Sequence, residues 1–131
     1  MKKLFYPAIF QTEEEGGYSI FFPDIDGCFT QGEDLEDGYK MAFDALGLSL
    51  SYYADNNIPF PQPSLPNEIK LEQNQFIAVI EFDMFEYKRK NDSKAVKKTL
   101  TIPSWLNELA MEQNINFSQV LQDALMNKVN M

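Results

Sequence analysis

Apolar and polar positions in the first third of the chain alternate at the two-residue period of a half-buried strand. LFYPAIFQ (4–11) and YSIFFP (18–23), joined across EEEGG (13–17), predict a hairpin. After the turn DIDG (24–27), CFTQG (28–32) predicts a third, short strand. Pro7 has no N–H to give to a ladder, so its strand must offer it an edge or a bulge. From Leu35 the period changes. Leu35, Tyr39, Ala42, Phe43, Leu46, Leu50 and Tyr53 keep helical spacing to about Ala54. Asp34 is placed to cap that helix, and Glu36 and Asp37 put acids in its first turn, where the helix dipole favours them. Gly38 and Gly47 weaken the helix and leave room for close approach to the sheet. DNNIPFPQPSLPNE (55–68) holds four prolines and predicts an extended connector. QFIAVIEFDMF (75–85) then returns as a strand. Strand, strand, strand, helix, strand predicts one α+β layer pair over residues 1–86.

The remainder is organised differently. YKRKNDSKAVKK (87–98) carries six basic residues and one acid. Its first part, 87–94, predicts a basic hinge, either a solvated linker or an arm that meets phosphates. KKTLTIP (97–103) then alternates like a strand, with Leu100 and Ile102 on one face and Lys97, Thr99 and Thr101 on the other. A helix is entered at Pro103, with Trp105, Leu106, Leu109 and Ala110 on one side, and Trp105 is expected to anchor a core. Asn114 suits a left-handed terminator. Asn116 predicts the cap of a second helix, with Gln119 completing a capping-box pattern. Phe117, Val120, Leu121, Ala124, Leu125 and Val129 give that helix its apolar stripe.

A strand, two helices and no staple bury too little surface to fold alone, and a single strand leaves its backbone groups unpaired. A symmetric dimer answers both difficulties, by pairing two KKTLTI strands antiparallel over four helices. Leu100 and Ile102 would then face the helices. Lys97, Thr99 and Thr101 would line a two-stranded ribbon of the width that enters the major groove of DNA.

Composition narrows the function. The chain has no histidine and one cysteine, Cys28. That removes serine–histidine and cysteine–histidine catalysis, an internal disulfide and multi-cysteine zinc sites, and no cofactor is expected. Asp24, Asp26, Glu81 and Asp83 leave one metal-dependent route, although a polar turn and a solvated strand edge look the same. An enzyme is not expected. No apolar run is long enough to span a bilayer, and MKKLFYPAIF runs into QTEEE without a cleavage site, so a cytoplasmic location is expected. The net charge of −9 conceals a division. Residues 1–86 hold 4 Lys and no Arg against 16 acids, a net of −12, and residues 87–131 hold 7 basic residues against 4 acids, a net of +3. Two modules with different partners are expected.

Residues 95–131 resemble the ribbon-helix-helix family of DNA-binding proteins. The resemblance implies base contacts by Lys97, Thr99 and Thr101, and phosphate contacts at the start of the second helix by Asn116, Phe117 and Ser118. FFPDIDGCFTQGEDLEDGYKMAFDAL (21–46), with PFPQPS after it, is similar to the N-terminal domain of HicB-type antitoxins, and IPSWLNELAMEQNINFSQVLQDAL (102–125) is similar to their tail. That likeness implies a partial RNase H-like fold over 1–86 and a ribbon-helix-helix domain over 95–131. It further implies binding of a HicA-type mRNA-cleaving toxin, repression of the shared operon at operator DNA, and a homodimer or higher oligomer. The turn Phe22, Pro23, Asp24, Ile25 and Asp26 is a candidate toxin contact. A stand-alone ribbon-helix-helix regulator with a different N-terminal partner is the alternative.

Overall fold

The computed structural model describes residues 3–91 and 94–129, which fall into two compact units, Met1–Lys94 and Ala95–Met131. In the first, β1 (Lys3–Thr12), β2 (Tyr18–Phe21), β3 (Phe29–Gly32) and β4 (Gln75–Asp83) form an antiparallel sheet of order β3-β2-β1-β4. β1 runs along β4 from Lys3 to Gln11 but meets β2 only from Ile9 to Thr12. Pro7 opposes Val79 and lies before the β2 pairing begins, so this central strand is locally an edge where the proline sits.

Helix α1 (Leu35–Asp55) covers one face of the sheet. Asp34 caps it by accepting from the Asp37 N–H at 2.8 Å, as its position predicts. The core joins Tyr6, Ala8 and Phe10 of β1, Ile20 of β2, and Ile80 and Phe82 of β4 to Ala42, Leu46 and Leu50 of α1. Gly38 meets Phe10 and Ile20, giving the close approach to the sheet that its lack of a side chain permits. Gly47 serves a different neighbour. It receives the Tyr87 ring from α2 (Met84–Asn91), a helix standing where the sequence predicts the end of a strand and a basic hinge.

The physical reason for α2 is legible afterwards. The Asp83 carboxylate accepts from the Phe85 N–H at 2.9 Å, which caps a new helix at the strand's end. Met84 and Tyr87 pack on the core, and Lys88, Arg89 and Lys90 fall in the last turn, where cations suit the dipole. Of the predicted hinge, Asp92 and Ser93 lie outside the described residues.

The second unit has α3 (Ser104–Glu112) and α4 (Phe117–Val129). Asn114 is left-handed, with φ 54°. Its N–H reaches the Met111 carbonyl at 3.1 Å, and the Ile115 N–H reaches Ala110 at 3.0 Å. This pair of hydrogen bonds is a Schellman terminator with asparagine in the place glycine usually takes. Residues 94–103, which include the predicted lone strand, carry no regular secondary structure in the single chain. A strand's ladder bonds need a neighbour, and sequence alternation by itself supplies none.

Candidate nucleic-acid interface and partner surface

Lys97, Thr99 and Thr101 are exposed on the segment before α3. Leu100 and Ile102, expected to face helices, are exposed as well. The helices repeat the pattern. Leu106, Leu109, Val120, Leu125 and Val129 all stand open to solvent in the single chain, and Trp105, expected in a core, is 64% exposed. Only Ala110 of α3 is buried, and no described residue of α4 is. Two short helices present their apolar stripes without enclosing them, which marks an interaction face.

At the start of α4, Asn116 Oδ1 accepts from the Gln119 N–H at 3.1 Å. The return half of the predicted capping box is not formed, because the Gln119 amide donates instead to Asp123 at 2.9 Å. Phe117 and Ser118 are exposed at the first two helical positions, whose N–H groups have no intrahelical acceptor. Lys97, Thr99 and Thr101 therefore share the second unit with Asn116, Phe117 and Ser118. The six basic residues of 87–98 do not all belong there. Arg89 pairs with Glu86 at 3.0 Å, and Lys90 lies 5.9 Å from the Phe43 ring centre, both within the first unit.

The turn after β2 divides its five candidate contacts. Phe22 and Ile25 are buried in the core, where they anchor the turn. Asp24 accepts from the Ser64 N–H at 2.9 Å and from its hydroxyl, tying the turn to the proline-rich connector. Tyr6 ties the same connector through its hydroxyl, which donates to the Pro61 carbonyl at 2.6 Å. Pro23 and Asp26 remain exposed. Asp26 borders a cavity of about 370 Å³ that is also lined by Leu48, Ser49, Tyr52, Tyr53 and Ile58. Sequence reading missed Leu48 and Tyr52. Their signal was available, as two apolar residues one turn apart and off the inner stripe of α1.

Three of the four carboxylates considered for a metal have separate partners. Glu81 pairs with Lys3 at 2.8 Å, which raises the lysine's pKa. Asp83 caps α2 and Asp24 holds Ser64. Among the described residues no group of three or more His, Cys, Asp or Glu side chains is arranged to hold a metal ion. Burial pushes the Cys28 thiol up from its ordinary range, with Ser49 acting in the opposite direction by a hydrogen bond. Burial likewise raises Tyr6 and Tyr87.

A family described as the HicB-like antitoxin of bacterial toxin–antitoxin systems matches residues 6–125. The chain belongs to the HicB-like antitoxin family. This HicB-like chain is 42% identical over 65 residues to Antitoxin HicB 1 of Photorhabdus laumondii, a match covering 48% of the chain and 42% of that relative. The chain thus spans less than half the length of that curated relative. It also resembles a chain of a toxin–antitoxin complex from Streptococcus pneumoniae, at 30% identity and TM-score 0.62, over 97% of this chain and 99% of that one. A chain of a HicA3–HicB3 toxin–antitoxin complex matches at 27% identity and TM-score 0.52, over 61% of this chain and 99% of that one. The mixed α+β fold, with a four-stranded antiparallel sheet and four helices, agrees with these HicB structures. No helix among the described residues is long and apolar enough to cross a membrane.

Proposed function

We propose that this HicB-like antitoxin neutralises a HicA-type toxin through Met1–Lys94 and represses its own operon through Ala95–Met131. The first unit acts as a partial RNase H-like domain without catalysis, and the second as a ribbon-helix-helix dimer. The observation that carries the reading is the uncovered apolar face of α3 and α4, behind a segment that alternates aliphatic residues with Lys97, Thr99 and Thr101. Two such segments pair antiparallel, cover Leu100 and Ile102, and leave the hydroxyls and lysines outward. Lys97, Thr99 and Thr101 then read base edges in the major groove. The cap at Asn116 presents the free N–H groups of Phe117 and Ser118 to a phosphate. The HicA-type partner is supported by the family and by the toxin complexes that contain similar chains. A net of −12 over residues 1–86 suits a cationic protein.

Co-expression with the short gene adjacent to this one is the test. The chain should co-purify with that gene's product, relieve its toxicity and protect a palindromic segment upstream of the pair. Operator binding without any toxin partner would instead make the chain a stand-alone regulator. Loss of both activities would remove the proposal.

A further inference from the structure

The cavity beside Asp26 has the make-up of a receptor for one particular kind of side chain. Leu48 is 70% exposed and Ile58 is 41% exposed, so its walls offer apolar surface to solvent. Tyr52 and Tyr53 add two rings with centres 6.3 Å apart and planes at 78°. Asp26 stands at the rim with an exposed carboxylate that takes part in none of the ion pairs among the described residues. Its volume of about 370 Å³ falls in the ~300–1,000 Å³ range of ligand pockets, ample for one long side chain.

The turn carrying Asp26 is held from several directions. The Phe22 N–H reaches the Cys28 carbonyl at 3.0 Å, and the Ile25 N–H reaches Phe22 at 3.2 Å. Phe22 and Ile25 are buried, Asp24 is bonded to Ser64, and Gly27 takes the positive φ of 71° that closes the bend. The backbone that carries Asp26 is thus held in place before any ligand arrives, which lowers the ordering cost of binding.

We infer that this cleft receives an arginine side chain from a cationic protein partner. The arginine stem would lie along Leu48 and Ile58, its guanidinium plane against a tyrosine ring, and its N–H fork on the Asp26 carboxylate. Charge complementarity favours a cationic protein, since the unit that carries the cleft is strongly acidic. This inference deepens the toxin-neutralising reading and rests on it for the partner's identity.

The test uses the full chain and its HicA-type partner, with Asp26→Asn, Asp26→Arg and Tyr52→Ala variants. Affinity should fall about tenfold for Asp26→Asn and Tyr52→Ala, and about a hundredfold for Asp26→Arg, with unchanged urea midpoints. Affinities within twofold of the parent for all three would overturn the inference while leaving the antitoxin reading in place. If the parent chain binds no such toxin, that reading fails and NMR titration with N-acetyl-arginine amide decides the cleft alone. Shifts at Leu48, Ser49 and Tyr52 that the citrulline analogue does not produce, and that Asp26→Asn abolishes, would sustain it. Equal shifts with both probes, or none, would overturn it. Shifts of the same residues on simple dilution would assign the cleft to a second copy of the chain and also overturn it.

Discussion

In Met1–Lys94 the sheet and the helix close on each other. Tyr6, Phe10, Ile80 and Phe82 meet Ala42, Leu46 and Leu50, and none of the seven is more than 1% exposed. In Ala95–Met131 the helices are also regular and amphipathic, yet Leu106, Leu109, Val120, Leu125 and Val129 remain open. The difference lies in the number of layers. A sheet with a helix across it encloses side chains from two sides, whereas two short helices can only offer a surface. Amphipathic spacing therefore reveals which face will be buried, and only the count of surrounding elements tells whether the same chain buries it.

The largest effects should separate the two units by their dependence on concentration. Leu46→Ala removes a fully enclosed side chain and should cost about 2–5 kcal/mol, independent of protein concentration. Leu109→Lys alters a residue already 46% exposed, so the single chain should tolerate it. If α3 lies in a dimer core, this change should instead abolish self-association and operator binding, because it buries an unpaired charge. Urea unfolding at two protein concentrations and analytical ultracentrifugation check both. A Leu109→Lys protein that still dimerises would place the second unit's apolar face outside the dimer.

Gly47→Ala tests how the first unit gains its last helix. A methyl at Gly47 would overlap the Tyr87 ring, so α2 must shift away from α1. A cost of about 1–3 kcal/mol is expected, as for other overpacked sites. Combining it with Tyr87→Ala should give less than the sum of the single effects, since both act on one contact. Full additivity, measured by urea midpoints, would show that Tyr87 does not hold α2 there.

Much of this division was legible in the sequence. Pattern alone located all four strands, α1 with its Asp34 cap, the Asn114 terminator and the start of α4 at Asn116. These are local signals, set by period, cap chemistry and φ preference. What failed depended on tertiary partners. Helix α2 was hidden because DMFEY continues the alternation of β4, while its cap at Asp83 and its slot at Gly47 exist only once the layers pack. Phe22 and Ile25 read as a contact motif in a polar turn, yet they hold the turn down and leave Asp26 exposed. The Asp26 cleft was beyond reach, because Leu48, Tyr52 and Ile58 converge on it from the helix and the connector.

Thr99→Ala and Thr101→Ala should each weaken specific operator binding by about 1–3 kcal/mol and leave toxin neutralisation intact. Unchanged operator affinity in both variants would refute the ribbon. A smaller, opposite test touches only the first unit. Cys28, Tyr6 and Tyr87 titrate higher in the folded chain than their ordinary values of 9.0 and 10.0. Above those values the unfolded chain loses protons that the folded chain keeps, so stability falls as pH rises. Urea midpoints of the first unit should thus decline from about pH 9 upward, and Cys28→Ser should remove the earliest part of the decline.

Lys97→Ala should have the least effect on the fold, because the side chain is exposed and lies outside any helix or strand of the single chain. Its value is that it separates two kinds of DNA contact. A lysine that neutralises a phosphate releases a counterion, so its removal weakens binding to every sequence and lowers the salt slope by about one per chain. A lysine that reads a guanine edge produces a different result, a loss confined to the cognate site with little change of slope on unrelated DNA. Fluorescence anisotropy on cognate and scrambled duplexes between about 50 and 200 mM salt distinguishes the two. Equal losses on both duplexes would move Lys97 from base reading to backbone positioning and leave Thr99 and Thr101 as the ribbon's readers. No change on either duplex would place Lys97 off the DNA altogether. Lys98 would then be the lysine left in this segment to meet DNA, since Lys88, Arg89 and Lys90 belong to a helix packed in the first unit.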